Sequence, residues 1–100
     1  MHFYTALLEY DGGTYIFQID ASNESAAIDI LCNYIRSDHT FGVNAWRLAR
    51  AIRARSMPDP IEIKDTQGVW HISTLFARKL VSINLVLTVR GFNGRDMGAN

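Results

Sequence analysis

Residues 4–20, YTALLEYDGGTYIFQID, decide the fold. Aromatic and β-branched residues crowd both flanks of Asp11-Gly12-Gly13, and such residues favour a pleated, half-buried surface. Asp-Gly and Gly-Gly supply the positive φ angles that a tight hairpin turn requires. The stretch therefore predicts two antiparallel strands joined at Asp11-Gly12-Gly13.

Downstream, residues 21–38 read ASNESAAIDILCNYIRSD. Ser22 is placed to cap a helix, and Glu24 in the first turn suits the positive end of the helix dipole. At about 100° per residue, Ala27, Ile28, Leu31, Cys32 and Ile35 share one side. Asp29, Asn33 and Arg36 share the other, so this is an amphipathic helix laid on a sheet. SDHTFG is a connection in which Gly42 supplies an unusual backbone angle. A second helix, NAWRLARAIRARS, starts near Asn44 as cap and stops before SMPDP, whose prolines force extended backbone. IEIKD, the turn TQG and VWHIS predict a second hairpin. TLFARK fits either a helical turn or a continued strand. In LVSINLVLTVR, Val81, Ile83, Leu85, Leu87 and Val89 share one face, and Leu80 and Val86 add apolar surface to the other. A strand apolar on both faces belongs at the centre of a sheet.

The element order is thus β-β-α-α-β-β-β, predicting an α+β domain with four to five antiparallel strands and two helices on one face. One hundred residues make a single domain, 1–100, with a Gly-rich tail from residue 91. Hydrophobic content of 48% with 20% charged residues is too apolar for disorder. No apolar run approaches the roughly 18 to 20 residues needed to span a bilayer, and the first residues do not resemble a secretory signal. The single Cys32 has no internal disulfide partner, which fits a reducing compartment, so the expectation is a cytoplasmic protein without membrane contact.

The formal net charge of zero conceals a segregation. Residues 1–35 hold Glu9, Asp11, Asp20, Glu24 and Asp29 without a lysine or arginine, a net −5. Residues 36–55 hold Arg36, Arg47, Arg50, Arg53 and Arg55 against Asp38, a net +4. Such blocks either pair with each other in the fold or steer a charged partner.

Little in the chain points to catalysis. DGG and GFNG lack the Lys-Ser/Thr and the strand-to-helix setting of a phosphate-binding loop. Neither a Cys-x-x-Cys nor a His-x-x-x-His pair is present, and His2, His39 and His71 are scattered. Cys32 falls on the core face of its helix, where it reads as a small buried hydrophobe. Asp38, His39 and Thr40 adjoin in sequence, which does not by itself give catalytic geometry. The expectation is no catalytic residue, no metal and no cofactor.

The second helix carries the candidate site. Ala45, Leu48, Ala49, Ala51 and Ile52 form its apolar stripe, while Trp46, Arg47, Arg50 and Arg53 share the opposite arc. Trp46 and Arg50, one turn apart, are placed to stack. Three readings follow. Trp46 could tuck under SMPDP with the arginines solvated or paired to the acidic hairpin. The arc could be a protein-docking surface, since Trp and Arg dominate binding hot spots. It could also grip nucleic acid, with arginines on phosphates and Trp46 stacked, although a pI near 6.8 and an acidic N-terminal third oppose a polyanion. Docking on another protein is the preferred reading. A structural or oligomerising subunit, including a homodimer built on an apolar sheet face, is a further alternative. Should the arginine helix not serve, the acidic surface of Glu9, Asp11 and Asp20 is the next candidate.

The hairpin YTALLEYDGGTYIFQID also resembles the opening hairpin of HicB-type antitoxins over that short stretch. The Pro-Asp-Leu-Pro-Gly-Cys continuation of that family is absent, replaced by DASNESAA, so membership is not assigned. In size and architecture the chain is similar to small regulators and inhibitors of phages and mobile elements, including antagonists of host defence, an analogy without a diagnostic motif.

Overall fold

The computed structural model describes residues 1–56 and 60–88. The tail from residue 91, Val89 and most of the SMPDP segment lie outside them. The chain runs β1 (His2–Tyr10), β2 (Gly13–Ala21), α1 (Glu24–Ser37), a 3₁₀ segment (His39–Asn44), α2 (Ala45–Arg55), β3 (Ile61–Glu62), β4 (Val69–Phe76) and β5 (Lys79–Thr88). The five strands form one antiparallel sheet in the order β2-β1-β5-β4-β3, and the fold is α+β as the sequence implies. β5 lies between β1 and β4, in the central position that its two apolar faces predict.

The first turn closes on two residues, Asp11 (φ 50°) and Gly12 (φ 80°), and Gly13 already belongs to β2. Pairing is unbroken from His2↔Ala21 to Tyr10↔Gly13. Tyr4, Ala6 and Leu8 of β1 and Val81, Ile83 and Leu85 of β5 point to the helix side and are buried. From α1 they meet Ala27, Ile28, Leu31, Cys32 and Ile35, the stripe that helical periodicity picks out. α2 adds Ala45, Leu48, Ala49 and Ile52. Both helices cover the same face; the opposite face of the sheet, with Ile16, Leu75 and Leu80, is exposed.

Three local expectations change, and the open reading of TLFARK is decided. Asn23, not Ser22, caps α1: its Oδ1 accepts from the Ala26 N–H at 2.8 Å, the reach of an N-cap side chain to the third helical amide. Leu87 lies on the helix-side face but is 44% exposed, because its neighbour across the ladder is Gly68, which has no side chain to cover it. TLFARK continues β4 as far as Phe76, and Ala77 and Arg78, both at positive φ, make the turn into β5. The second hairpin forms with only two paired residues in β3 and a longer loop, held where the Gly68 N–H donates to Glu62 Oε2 at 2.8 Å.

Candidate functional site

α1 and α2 are joined by the 3₁₀ segment, in which Gly42 adopts φ 65° and ψ −151°, a conformation open to glycine alone. Asn44 precedes α2 at the cap position but makes no side-chain capping bond. The short connection sets the last turn of α1 against the first turn of α2. There the guanidinium of Arg36 lies over the Trp46 ring, 4.9 Å from its centroid. Asn33 holds that guanidinium in place, its Oδ1 accepting from Arg36 Nη1 at 2.8 Å. The Arg36 Nε is buried and makes no hydrogen bond among the described residues.

Trp46 itself is 67% exposed, so it is not tucked against any described segment. An open groove of about 400 Å³ runs beside it, lined by Arg36, Trp46, Arg50, Arg53 and Ala54. Arg47 and Arg50 are exposed and make no ion pair among the described residues. Arg53 differs from the other residues of its arc. Its Nε pairs with Asp29 Oδ1 at 2.7 Å, and its two terminal nitrogens donate to Ser56 Oγ at 3.1 Å and Ser25 Oγ at 3.4 Å. It ties α2 to α1 and at the same time lines the groove.

Two expectations about this helix are therefore corrected. The cation stacked on Trp46 is Arg36 of α1, not Arg50 of α2, because Asn33 fixes the Arg36 guanidinium over the ring. The groove brings together Arg36, Trp46, Arg50 and Arg53, with Arg53 also held in the ion pair with Asp29, while Arg47 is exposed outside the lining. Arg36 was legible as a polar-face residue of α1, but helical periodicity does not say which side chain of a second helix it meets.

The acidic alternative divides in two. Glu9 and Asp11 line a shallow depression of about 290 Å³ at the first turn, where Asp11 pairs with Lys79 at 2.9 Å. Asp20 stands at the other end of the hairpin: Glu9 pairs with Thr14, and six residues of extended chain, about 20 Å, separate Thr14 from Asp20. The three carboxylates do not form one surface.

Cys32 Sγ donates to the Ala49 carbonyl at 3.4 Å, and burial pushes its thiol up to about 11, against the smaller opposing pull of Arg36 and Arg53. Such a thiol carries almost no thiolate at neutral pH. Asp38 caps the Thr40 amide at 2.9 Å, and this backbone hydrogen bond holds its carboxyl below the usual range. Among the described residues, no three His, Cys, Asp or Glu side chains gather as metal ligands would, and no helix is long and apolar enough to cross a membrane. Comparison of the chain with protein-family models, curated proteins and solved structures finds no match.

Proposed function

We propose that the protein is a binding module of the regulator or inhibitor kind, acting without catalysis by docking the outer surface of its two helices on an acidic partner protein. The observation that carries this reading is Trp46: a large aromatic, 67% exposed, backed by the Arg36 guanidinium and bordered by a groove. Exposing an indole to water is unfavourable, and covering it with a partner recovers that apolar area. Arg47 and Arg50 then supply charge-assisted hydrogen bonds to carboxylates around the aromatic.

The test titrates the protein with a series of Asp/Glu-rich peptides carrying one aromatic or aliphatic anchor, and with a duplex oligonucleotide, at about 50 and 200 mM salt. The expected result is saturable peptide binding, weakened by Trp46→Ala and by Arg50→Glu. Tight oligonucleotide binding that falls by orders of magnitude over that salt range would replace this reading with nucleic-acid recognition.

A further inference from the structure

The two edges of the sheet are treated differently. In a hairpin closed by a two-residue turn, the flanking residues exchange hydrogen bonds, and every second residue after them does the same. Along β4, Phe76, Thr74, Ile72 and Trp70 therefore bond to β5, and Leu75, Ser73, His71 and Val69 turn their backbone groups outward. That outer edge is largely occupied. β3 pairs with His71, the Ile63 N–H donates to the Val69 carbonyl at 2.8 Å, and Arg55 Nε donates to the Ser73 carbonyl at 3.1 Å.

At the opposite edge, Gly13, Tyr15, Phe17 and Ile19 of β2 bond to β1, which turns the N–H and C=O of Thr14, Ile16 and Gln18 outward. Those groups have no partner among the described residues. Edge strands of monomeric proteins are commonly blunted by lysine, proline, a bulge or a short length. β2 has nine residues, continuous pairing, neither Lys nor Pro, and Ile16 at 63% exposure. On its helix side lies a partly buried row of aromatics: Phe17 stacked on Tyr34 at 6.0 Å and Tyr15 against Phe41 at 4.8 Å, with Tyr34 exposed.

We infer that β2 is the seat of a symmetric dimer, in which it pairs antiparallel with β2 of a second copy of this chain. Symmetry and the hydrogen-bond pattern select the register. A two-fold axis at Phe17 overlaps the whole strand, sets Ile16 opposite Gln18 of the second copy, and matches outward-facing groups with outward-facing groups. The axis is normal to the sheet, so the two sheets join into one and both helix layers stay on the same face. Phe17 meets its own counterpart on the helix side, flanked by Tyr34 of each α1. The charges are compatible with this seam. The only charged residue of β2, Asp20, falls opposite the neutral Thr14. The two Asp20 side chains stand about 20 Å apart along the seam, about twice the Debye length or more at physiological salt. A second copy thus pairs the outward groups of Ile16 and Gln18 with each other without opposing like charges.

The test combines mass in solution with two kinds of variant of the full chain. Sedimentation across a concentration series is expected to show a reversible dimer. Gln18→Pro removes an outward N–H and no bond to β1, so it should leave far-UV circular dichroism and Tm near wild type while weakening dimerisation about a hundredfold or more. Phe17→Cys should form a disulfide-linked dimer under mild oxidation, because facing residues of a non-hydrogen-bonded antiparallel pair have Cα atoms about 4.5 Å apart. Thr14→Cys should not, its counterpart lying about 20 Å away. Trp46→Ala, which alters the helix groove instead, should leave the dimer intact. A monomer at every concentration overturns the proposal. A dimer untouched by Gln18→Pro but lost on Leu75→Asp overturns it as well, by placing the contact on the open sheet face.

Discussion

Trp46 and Arg50 share a helix face, but different forces act on them. Trp46 is propped by Arg36 and faces water, and Arg50 is a solvated cation on the rim of the same groove. Truncating Trp46 to alanine should cost about 2 kcal/mol or more in partner affinity, as central aromatic anchors do. Arg50→Glu should lose a comparable amount while shifting stability by no more than about 0.5 kcal/mol, the range for exposed substitutions. Unchanged affinity in Arg50→Glu would remove the groove from the functional surface; calorimetric titration beside thermal melts separates the outcomes. Cys32 allows a second test at this scale. Its folded-state value is raised from 9.0 to about 11 by burial. Above pH 9 the unfolded chain releases the thiol proton while the folded chain keeps it, so stability falls as pH rises. The loss approaches roughly 2–3 kcal/mol by pH 11. Cys32→Ala lowers stability at every pH by deleting the buried sulfur, but its stability should decline less steeply between pH 9 and 11. Parallel slopes in urea titrations of the two proteins would show that the thiol ionises freely in the fold.

At the scale of elements, the two hairpins contrast. Asp11-Gly12 suits a turn with positive φ at both positions, whereas Ala77 (φ 52°) and Arg78 (φ 66°) adopt that geometry with side chains that disfavour it. The double substitution Ala77→Asn, Arg78→Gly should therefore stabilise the protein by about 1 kcal/mol, read from the shift of the urea midpoint at constant slope. This turn also explains why TLFARK was ambiguous in the sequence: without Gly, Asn or Pro, the hairpin carries no turn signature, and only pairing of β4 with β5 forces the conformation. Between the helices, the Arg53–Asp29 pair is the described ion pair that links the acidic and basic blocks. It is partly solvated, so a double-mutant cycle with Arg53→Ala and Asp29→Ala should return a coupling of about 1 kcal/mol or less. A coupling of several kcal/mol would mean that the pair is the principal clamp between the helices, in place of their apolar stripes.

Across the whole molecule, stability resides in one layer of side chains between the sheet and the two helices. Leu31 sits within it, fully buried among Ile28, Ile35, Leu8 and Ile83 in the same cluster. Leu31→Ala should cost about 2–5 kcal/mol, and a loss below about 0.5 kcal/mol in chemical denaturation would contradict this placement. The sequence alone determined the element order, the inward faces of α1 and α2 and the central place of β5, because apolar periodicity records which side of an element is dry. It could not determine which side chains from different elements meet. That depends on how the helices cross and where each strand ends, and these follow from packing over the whole core rather than from any local pattern. Tertiary structure therefore decided that Arg36 rather than Arg50 covers Trp46, and that Arg53 is held by Asp29. It also left Leu87 half-exposed beside Gly68, and left β2, not β4, as the edge whose outward groups at Thr14, Ile16 and Gln18 are unpaired among the described residues.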